Sequence, residues 1–218
     1  MHKHTLMMGV IATLSSLVVQ AEPSSQVAWT PETVKLVKQG NPQKGKLLAE
    51  NCDTCHAASA DNATTEYPYL HGQNAAYLYK QLKDYKSGNR VNAVMTSMAA
   101  GLGNQDMADL AAWYSRQEKP QPPPGKAEAV DVTQLVDRGD PSRILPPCAV
   151  CHAGDGQGKF IDNPGLSGQK AAYLENSLLA YQSGSRHNDV YQKMRLIAKN
   201  LSRDEIHRLA EHYAHKKP

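Results

Sequence analysis

The feature that most constrains the fold is an internal duplication. CDTCH at 52–56 returns as CAVCH at 148–152, 96 residues later. At the same offset PYLHGQNAAYL (68–78) meets PGLSGQKAAYL (164–174), and YKSGNR (85–90) meets YQSGSR (181–186). After a gap of three residues, MTSMAAGL (95–102) aligns with MRLIAKNL (194–201) and MADLAAWY (107–114) with IHRLAEHY (206–213). A chain that repeats itself in this order is two copies of one unit. Between them EKPQPPPGK (118–126) carries Pro120, Pro122, Pro123 and Pro124. Such a run favours an extended, semi-rigid spacer of ~3 Å per residue. The expected division is therefore an N-terminal extension at 22–44, a first domain at 45–117, a linker at 118–130 and a second domain at 131–218.

The periodicity inside each copy is helical. Leu78, Leu82 and Tyr85, matched by Leu174, Leu178 and Tyr181, fall on one helix face. Met107, Leu110, Ala111 and Tyr114, matched by Ile206, Leu209, Ala210 and Tyr213, do the same. Ser202 and Glu205 form a capping box that opens the last helix. TPETVKLVKQGNP predicts a short helix with Thr30 as N-cap and with Gly40 and Pro42 as stops. No alternating strand pattern of useful length is present. The expected class is all-α, with three or four short helices and long loops such as 57–74 in each domain. Loops of that length need something to wrap around. The chain holds one Phe and two Trp, a thin supply of bulky residues that a prosthetic group would supplement.

The first 21 residues read as a secretory signal: MHKHT, then LMMGVIATLSSLVV, then Val19-Gln20-Ala21 as cleavage site. The apolar run is short of the ~20 residues a spanning helix needs. This predicts a protein soluble in the periplasm, with peripheral membrane association left open. The formal charge is +3 with both signs well mixed, which excludes the basic stripe of a nucleic-acid binder.

CxxCH is compatible with three kinds of chemistry. A tetrathiolate zinc site needs both cysteine pairs to converge and leaves the histidines idle. A redox disulfide suits an oxidising compartment, but thioredoxin-like motifs accompany βαβ patterns that are missing here. Covalent haem uses every residue of the motif: Cys52 and Cys55, or Cys148 and Cys151, add across the vinyl groups, and His56 or His152 is the proximal ligand. For the sixth position, Met194 is the one methionine after Met107, and the register pairs it with Met95. Met98 and Met107 align with isoleucines and read as packing residues. The remaining histidines have no histidine partner in the other copy. Met95 and Met194 are thus the expected thioether ligands.

These residues resemble the class I cytochromes c, specifically the dihaem cytochrome c4 type. The resemblance rests on both CxxCH motifs, the paired P-x-L-x-G-Q-x-x-x-Y-L segments, SGNR and SGSR, and the methionines before the last helices. It covers nearly everything from Gly45 to Tyr213. It implies two cytochrome c folds related by a pseudo-twofold axis, with haem propionates approaching at the domain interface. It also implies that the Pro68 and Pro164 carbonyls accept from the proximal imidazoles. Tyr77, Tyr173, Arg90 and Arg186 are candidates for propionate contacts or for the interface. The copies differ after the motif, where CHAASADNATTEYP stands against CHAGDGQGKFIDNP.

A haem iron with His and Met on both axial positions exchanges electrons without an open substrate site. The expected function is a one-electron carrier with two haem c groups, working between a donor complex or dehydrogenase and a terminal oxidase or reductase. Two alternatives stand beside it. One is a dedicated electron-accepting subunit of one dehydrogenase, with the 22–44 extension as its docking arm. The other is a dihaem enzyme such as a peroxidase or an oxidase of a sulfur compound.

Overall fold

The structure, a computed structural model, describes residues 24–57, 67–122, 132–159 and 161–217. The expected signal peptide and residues 123–130 of the linker lie outside the described residues. Among those described, the regular elements are helical, and Asp140 and Leu145 form an isolated antiparallel bridge.

The first half contains α1 (Pro31–Lys38), α2 (Pro42–His56), α3 (Ala75–Ser87), α4 (Ala93–Ala100) and α5 (Asn104–Tyr114). The Thr30 hydroxyl caps α1 by accepting from the Thr33 amide. Pro42, expected as a stop, is instead the first residue of α2, where a missing N–H costs nothing and the fixed φ suits the helix. The Asn41 side chain caps α2 by accepting from the Gln43 and Lys44 amides. The expected boundary between residues 44 and 45 therefore falls inside the first turn of a continuous helix.

The extension is built into the first domain. An added Cβ at Gly40 would lie 2.2 Å from the Ala108 carbonyl oxygen, and at Gly45 2.0 Å from that of Asp109. Only glycine lets the chain approach α5 this closely. Val37 joins Ala49, Leu78, Tyr79, Met107, Ala108, Leu110, Ala111 and Tyr114 in one core. This packing ties the described part of the extension, residues 24–44, to the first domain.

The second half contains α6 (Thr133–Asp137), α7 (Cys148–His152), α8 (Ala171–Ser183), α9 (Lys193–Lys199) and α10 (Arg203–His215), with short 3₁₀ turns at Pro141–Arg143 and Val190–Gln192. Among the described residues the first domain has four α-helices, as expected, with α1 in the extension, and the second domain has five. The first copy enters its CxxCH on one long helix, but the second is broken into α6, a turn and α7. Gly139 at φ 69° and the prolines at 141, 146 and 147 explain the break. A Cβ at Gly139 would lie 2.2 Å from the Leu145 carbonyl oxygen. Pro146 and Pro147 lack the N–H groups that a continuous helix needs.

The remaining elements keep register. α3 and α8 both run thirteen residues and stop at glycines in the left-handed region, Gly88 at φ 80° and Gly184 at φ 81°. The expected capping box opens α10, with the Ser202 hydroxyl accepting from the Glu205 amide. In the second core Leu174, Ile206, Leu209, Ala210 and Tyr213 stand where the first has Leu78, Met107, Leu110, Ala111 and Tyr114. Met107 and Ile206 are both completely buried. Burying such a side chain stabilises by roughly 1.5–3 kcal/mol relative to leaving it exposed.

Candidate haem sites and the interface between them

Helical geometry places Cys52, Cys55 and His56 at i, i+3 and i+4 on one face of α2, and Cys148, Cys151 and His152 likewise on α7. All four thiols are free and half-buried. Burial pushes the Cys52 thiol up, and carries that of Cys148 to about 11. Both imidazoles are buried. His56 Nδ1 lies 2.7 Å from the Pro68 carbonyl oxygen and His152 Nδ1 2.9 Å from that of Pro164. A carbonyl can only accept, so each Nδ1 carries the proton and each Nε2 keeps its lone pair. Burial, the largest cause, lowers the pKa of both rings and holds them neutral.

Met95 sits in the first turn of α4, its amide donating to the Asn92 cap at 3.0 Å. Met194 sits in the first turn of α9, and both methionines are half-buried. The approach to Met194 is strained: Tyr191 and Gln192 both have φ of 58°, a region that L side chains rarely occupy. Asp189 secures the loop by accepting from the Arg195 amide at 2.9 Å and from its Nε at 2.7 Å. Met107 packs in the core as expected, whereas Met98 is 43% exposed and is not a packing residue.

The halves meet through reciprocal contacts. The Gln73 side chain donates to the Gly165 carbonyl at 2.9 Å and accepts from the Gly165 amide at 2.8 Å. In the mirrored position Gln169 donates to the Tyr69 carbonyl and accepts from the Tyr69 amide, both at 2.9 Å. Arg186 donates to the Tyr77 hydroxyl at 3.0 Å, and Arg90 reaches the Tyr173 hydroxyl at 3.4 Å. Each guanidinium also covers the tyrosine ring of its own half, Arg90 over Tyr85 at 4.7 Å and Arg186 over Tyr181 at 4.5 Å. The four candidates that came with the family resemblance thus converge on one interdomain cluster. Gln73 and Gln169 were not singled out from sequence, although both stand after the glycine of the repeated P-x-L-x-G-Q segment.

The cluster is electrostatically lopsided. Asp84 is engaged by Lys80 at 2.5 Å, Asn188 at 2.8 Å and Ser25 at 2.6 Å. Arg90 and Arg186, among the described residues, meet only neutral acceptors: the amides of Gln81 and Asn188 and the two tyrosine hydroxyls. Burial pushes the Tyr173 hydroxyl up, but Arg90 and Arg186 outweigh it and draw its pKa down. Buried cations without a carboxylate are costly unless an anion is supplied. This donor set fits a haem in each half: two thiols and a neutral imidazole on one helix face, and guanidiniums suited to carboxylates between them.

A chain of this architecture, with a repeated thiol–thiol–imidazole face, defines the c-type cytochromes. The cytochrome c family profile matches residues 42–116. Over 215 residues, 97% of this chain and 94% of the relative, it is 34% identical to a thiosulfate dehydrogenase electron acceptor from Stutzerimonas stutzeri. It is also 34% identical to a cytochrome c4 from Pseudomonas aeruginosa, over 77% of this chain and 84% of that protein. The crystal structure of reduced cytochrome c4 from Pseudomonas stutzeri superposes with a TM-score of 0.76 at 31% identity, covering 82% of this chain and 100% of that one. The chain belongs to the dihaem cytochrome c4 family, and it is an electron-transfer protein carrying covalently bound haem c in two tandem domains.

Proposed function

We propose that this chain is a periplasmic electron carrier that accepts electrons one at a time from a dehydrogenase and passes them to a terminal oxidase or reductase. Cys52 and Cys55 would hold haem 1 by thioether bonds, with His56 and Met95 as the ligands of its iron, and Cys148, Cys151, His152 and Met194 would do the same for haem 2. Each bound haem supplies a one-electron iron couple. The Pro68 and Pro164 carbonyls fix the imidazole orientations through Nδ1, leaving Nε2 directed to a metal. Arg90 and Arg186 would neutralise haem propionates, to which the Tyr77 and Tyr173 hydroxyls could donate hydrogen bonds. The observation that carries the reading is the pair of buried imidazoles, each with its Nδ1–H donating to a proline carbonyl in the same register.

Two axial protein ligands leave no open iron position, so the reading excludes peroxidase or sulfur-oxidising activity for this chain itself. Among the described residues no helix is long and apolar enough to cross a membrane, which is compatible with a soluble or peripherally attached carrier. The expected signal at residues 1–21 and the domains 45–117 and 131–218 belong to the same proposal, with the first domain extended to include the packed segment from residue 24.

The donor is proposed to be a thiosulfate-oxidising dehydrogenase. The relative named as its electron acceptor aligns along 97% of the chain, against 77% for the cytochrome c4. Oxidative coupling of two thiosulfates releases two electrons, one for each haem. Stopped-flow mixing with a thiosulfate dehydrogenase and its substrate should reduce both haems, while thiosulfate alone should reduce neither. A pyridine haemochrome assay giving one haem per chain, or ferric spectra without the methionine–iron charge-transfer band, would overturn the ligand set. Rapid cyanide binding to the untreated protein would instead favour the enzyme reading.

A further inference from the structure

The chain leaves the first domain along the seam that the glutamine clamps hold. After α5 the backbone stays pinned: the Gln117 amide donates to the Tyr114 carbonyl at 3.2 Å, and the Gln117 side chain to the Trp113 carbonyl at 3.1 Å. Two residues on, in the linker, the side chain of Lys119 crosses to the second domain. Its aliphatic stem lies over Gly72, where an added Cβ would stand 2.2 Å from Lys119 Cγ and 3.3 Å from its Cδ. Its ammonium donates to the Gln157 side-chain oxygen and lies beside Gly165, 2.8 Å from where a Cβ would be.

Both ends of this side chain land on the seam. Gly72 directly precedes Gln73, whose side chain holds the amide and the carbonyl of Gly165. Gly165 directly follows Pro164, whose carbonyl accepts from His152. Gln157 lies in the loop that closes on α7, where the Gly158 amide donates to the His152 carbonyl at 2.8 Å and the Lys159 amide to that of Cys151 at 3.2 Å. Lys119 and Gln73 thus fasten the same part of the second domain from two directions.

The position of Lys119 in the chain suits this crossing. Pro120 follows it and confines its backbone to extended conformations, so the residue is presented without helical freedom. The side chain is half-buried. Burial lowers the pKa of the ammonium, and the Asp155 carboxylate opposes that shift. A charged donor partly withdrawn from water makes a stronger hydrogen bond than an exposed one.

We propose that Lys119 is the latch of the linker: its side chain holds the two domains docked and so positions the two haems for electron exchange. The stem fixes it to the first domain and the ammonium to the second. The docking role stands on contacts within the protein, and its consequence for electron exchange rests on the two-haem reading.

The test is amide hydrogen exchange, followed by NMR, on the full-length ferrous holoprotein and its Lys119→Met and Lys119→Arg variants. The Gly165 and Tyr69 amides are each held by a glutamine of the other half, so both are exposed when the domains part. Lys119→Met keeps most of the stem and loses the charged donor. In it both amides should exchange about tenfold faster, by the same factor. Lys119→Arg should keep the native rates. Unchanged exchange at both amides in Lys119→Met would overturn the proposal, and so would faster exchange at Gly165 alone, which marks a local contact. In a Gln73→Ala background, Lys119→Met should slow electron exchange between the haems further, by up to about tenfold, as read by pulse radiolysis. No further slowing there would overturn the positioning role. Haem counting by pyridine haemochrome in the same samples separates these outcomes from failure of the two-haem reading.

Discussion

Replacing Asp84 with alanine tests how the interdomain cluster is held. Asp84 is completely buried and Lys80 is 3% exposed. The carboxylate accepts from Lys80 at 2.5 Å, from Asn188 Nδ2 at 2.8 Å and from the Ser25 hydroxyl at 2.6 Å. Lys80 also donates to the Asn188 carbonyl at 2.6 Å, so the pair fastens the second half to α3. In Asp84→Ala the ammonium is left with one carbonyl and no counter-charge. Removing one partner of a buried pair costs about 3–5 kcal/mol, most of it the orphaned charge. That is a large share of the ~5–15 kcal/mol by which a domain is stable. Lys80→Met leaves the carboxylate with two neutral donors and should cost less, about 1–3 kcal/mol. The double variant should be no less stable than Asp84→Ala alone, because the second change removes the charge that the first stranded. Urea unfolding of the holoproteins, followed by far-UV circular dichroism, measures all four states of this cycle. A loss below about 1 kcal/mol for Asp84→Ala, or simple additivity in the double variant, would refute the argument.

The remaining predictions bear on each copy separately. Tyr114→Phe removes a hydrogen bond to a carboxylate and should cost about 1.5–3 kcal/mol, whereas Tyr213→Phe should be neutral or stabilising. Among the described residues the Tyr213 hydroxyl has no hydrogen-bond partner, Ala149 standing where the first copy has Asp53, and thermal unfolding of both variants checks the contrast. The second domain should lose stability in acid between pH 4.5 and about 2. Hydrogen bonds from Arg143 hold the Glu205 carboxyl down to about 2 from an ordinary 4.5, so its contribution is complete above the upper value and gone below the lower. Arg143→Leu should flatten that part of the stability profile. Met95→Leu and Met194→Leu should each abolish half of the methionine–iron charge-transfer intensity and open one iron to cyanide, read by absorbance titration. Gln73→Ala or Gln169→Ala each removes two hydrogen bonds across the interface and should slow electron exchange between the haems, measured by pulse radiolysis.

Matched residues were the legible part of this chain. The helix faces of α3 and α8 and the buried Met107 follow from letters that recur in both copies, whereas the paired proline carbonyls were implied by the family resemblance. Gln73 and Gln169 recur too, but a glutamine in a loop carries no sign of what it grips. Only the docked halves bring each one opposite a backbone amide and carbonyl of the other. Lys80 and Asp84 were illegible for a different reason. An i, i+4 pair of opposite charges reads as a solvated helix face, and nothing local says that Asn188 and Ser25 will cover it. The broken helix before Cys148 was visible in Gly139, Pro141, Pro146 and Pro147, yet a duplicated sequence invites the assumption of duplicated structure.

The divergences fall into a pattern with a physical reason. Residues proposed to touch a haem are kept in both copies, because each cofactor imposes the same demands on its wall. Residues through which one copy touches the other are free to differ, since a pseudo-twofold interface needs complementarity and not identity. Lys80 and Asp84 have Asn176 and Ala180 as their register partners, and Lys170 has Asn74. The buried Lys80–Asp84 pair fastens the second half to α3 through Asn188, and the opposite side has no repeated pair to do the same, so one copy's charges fix the docked arrangement.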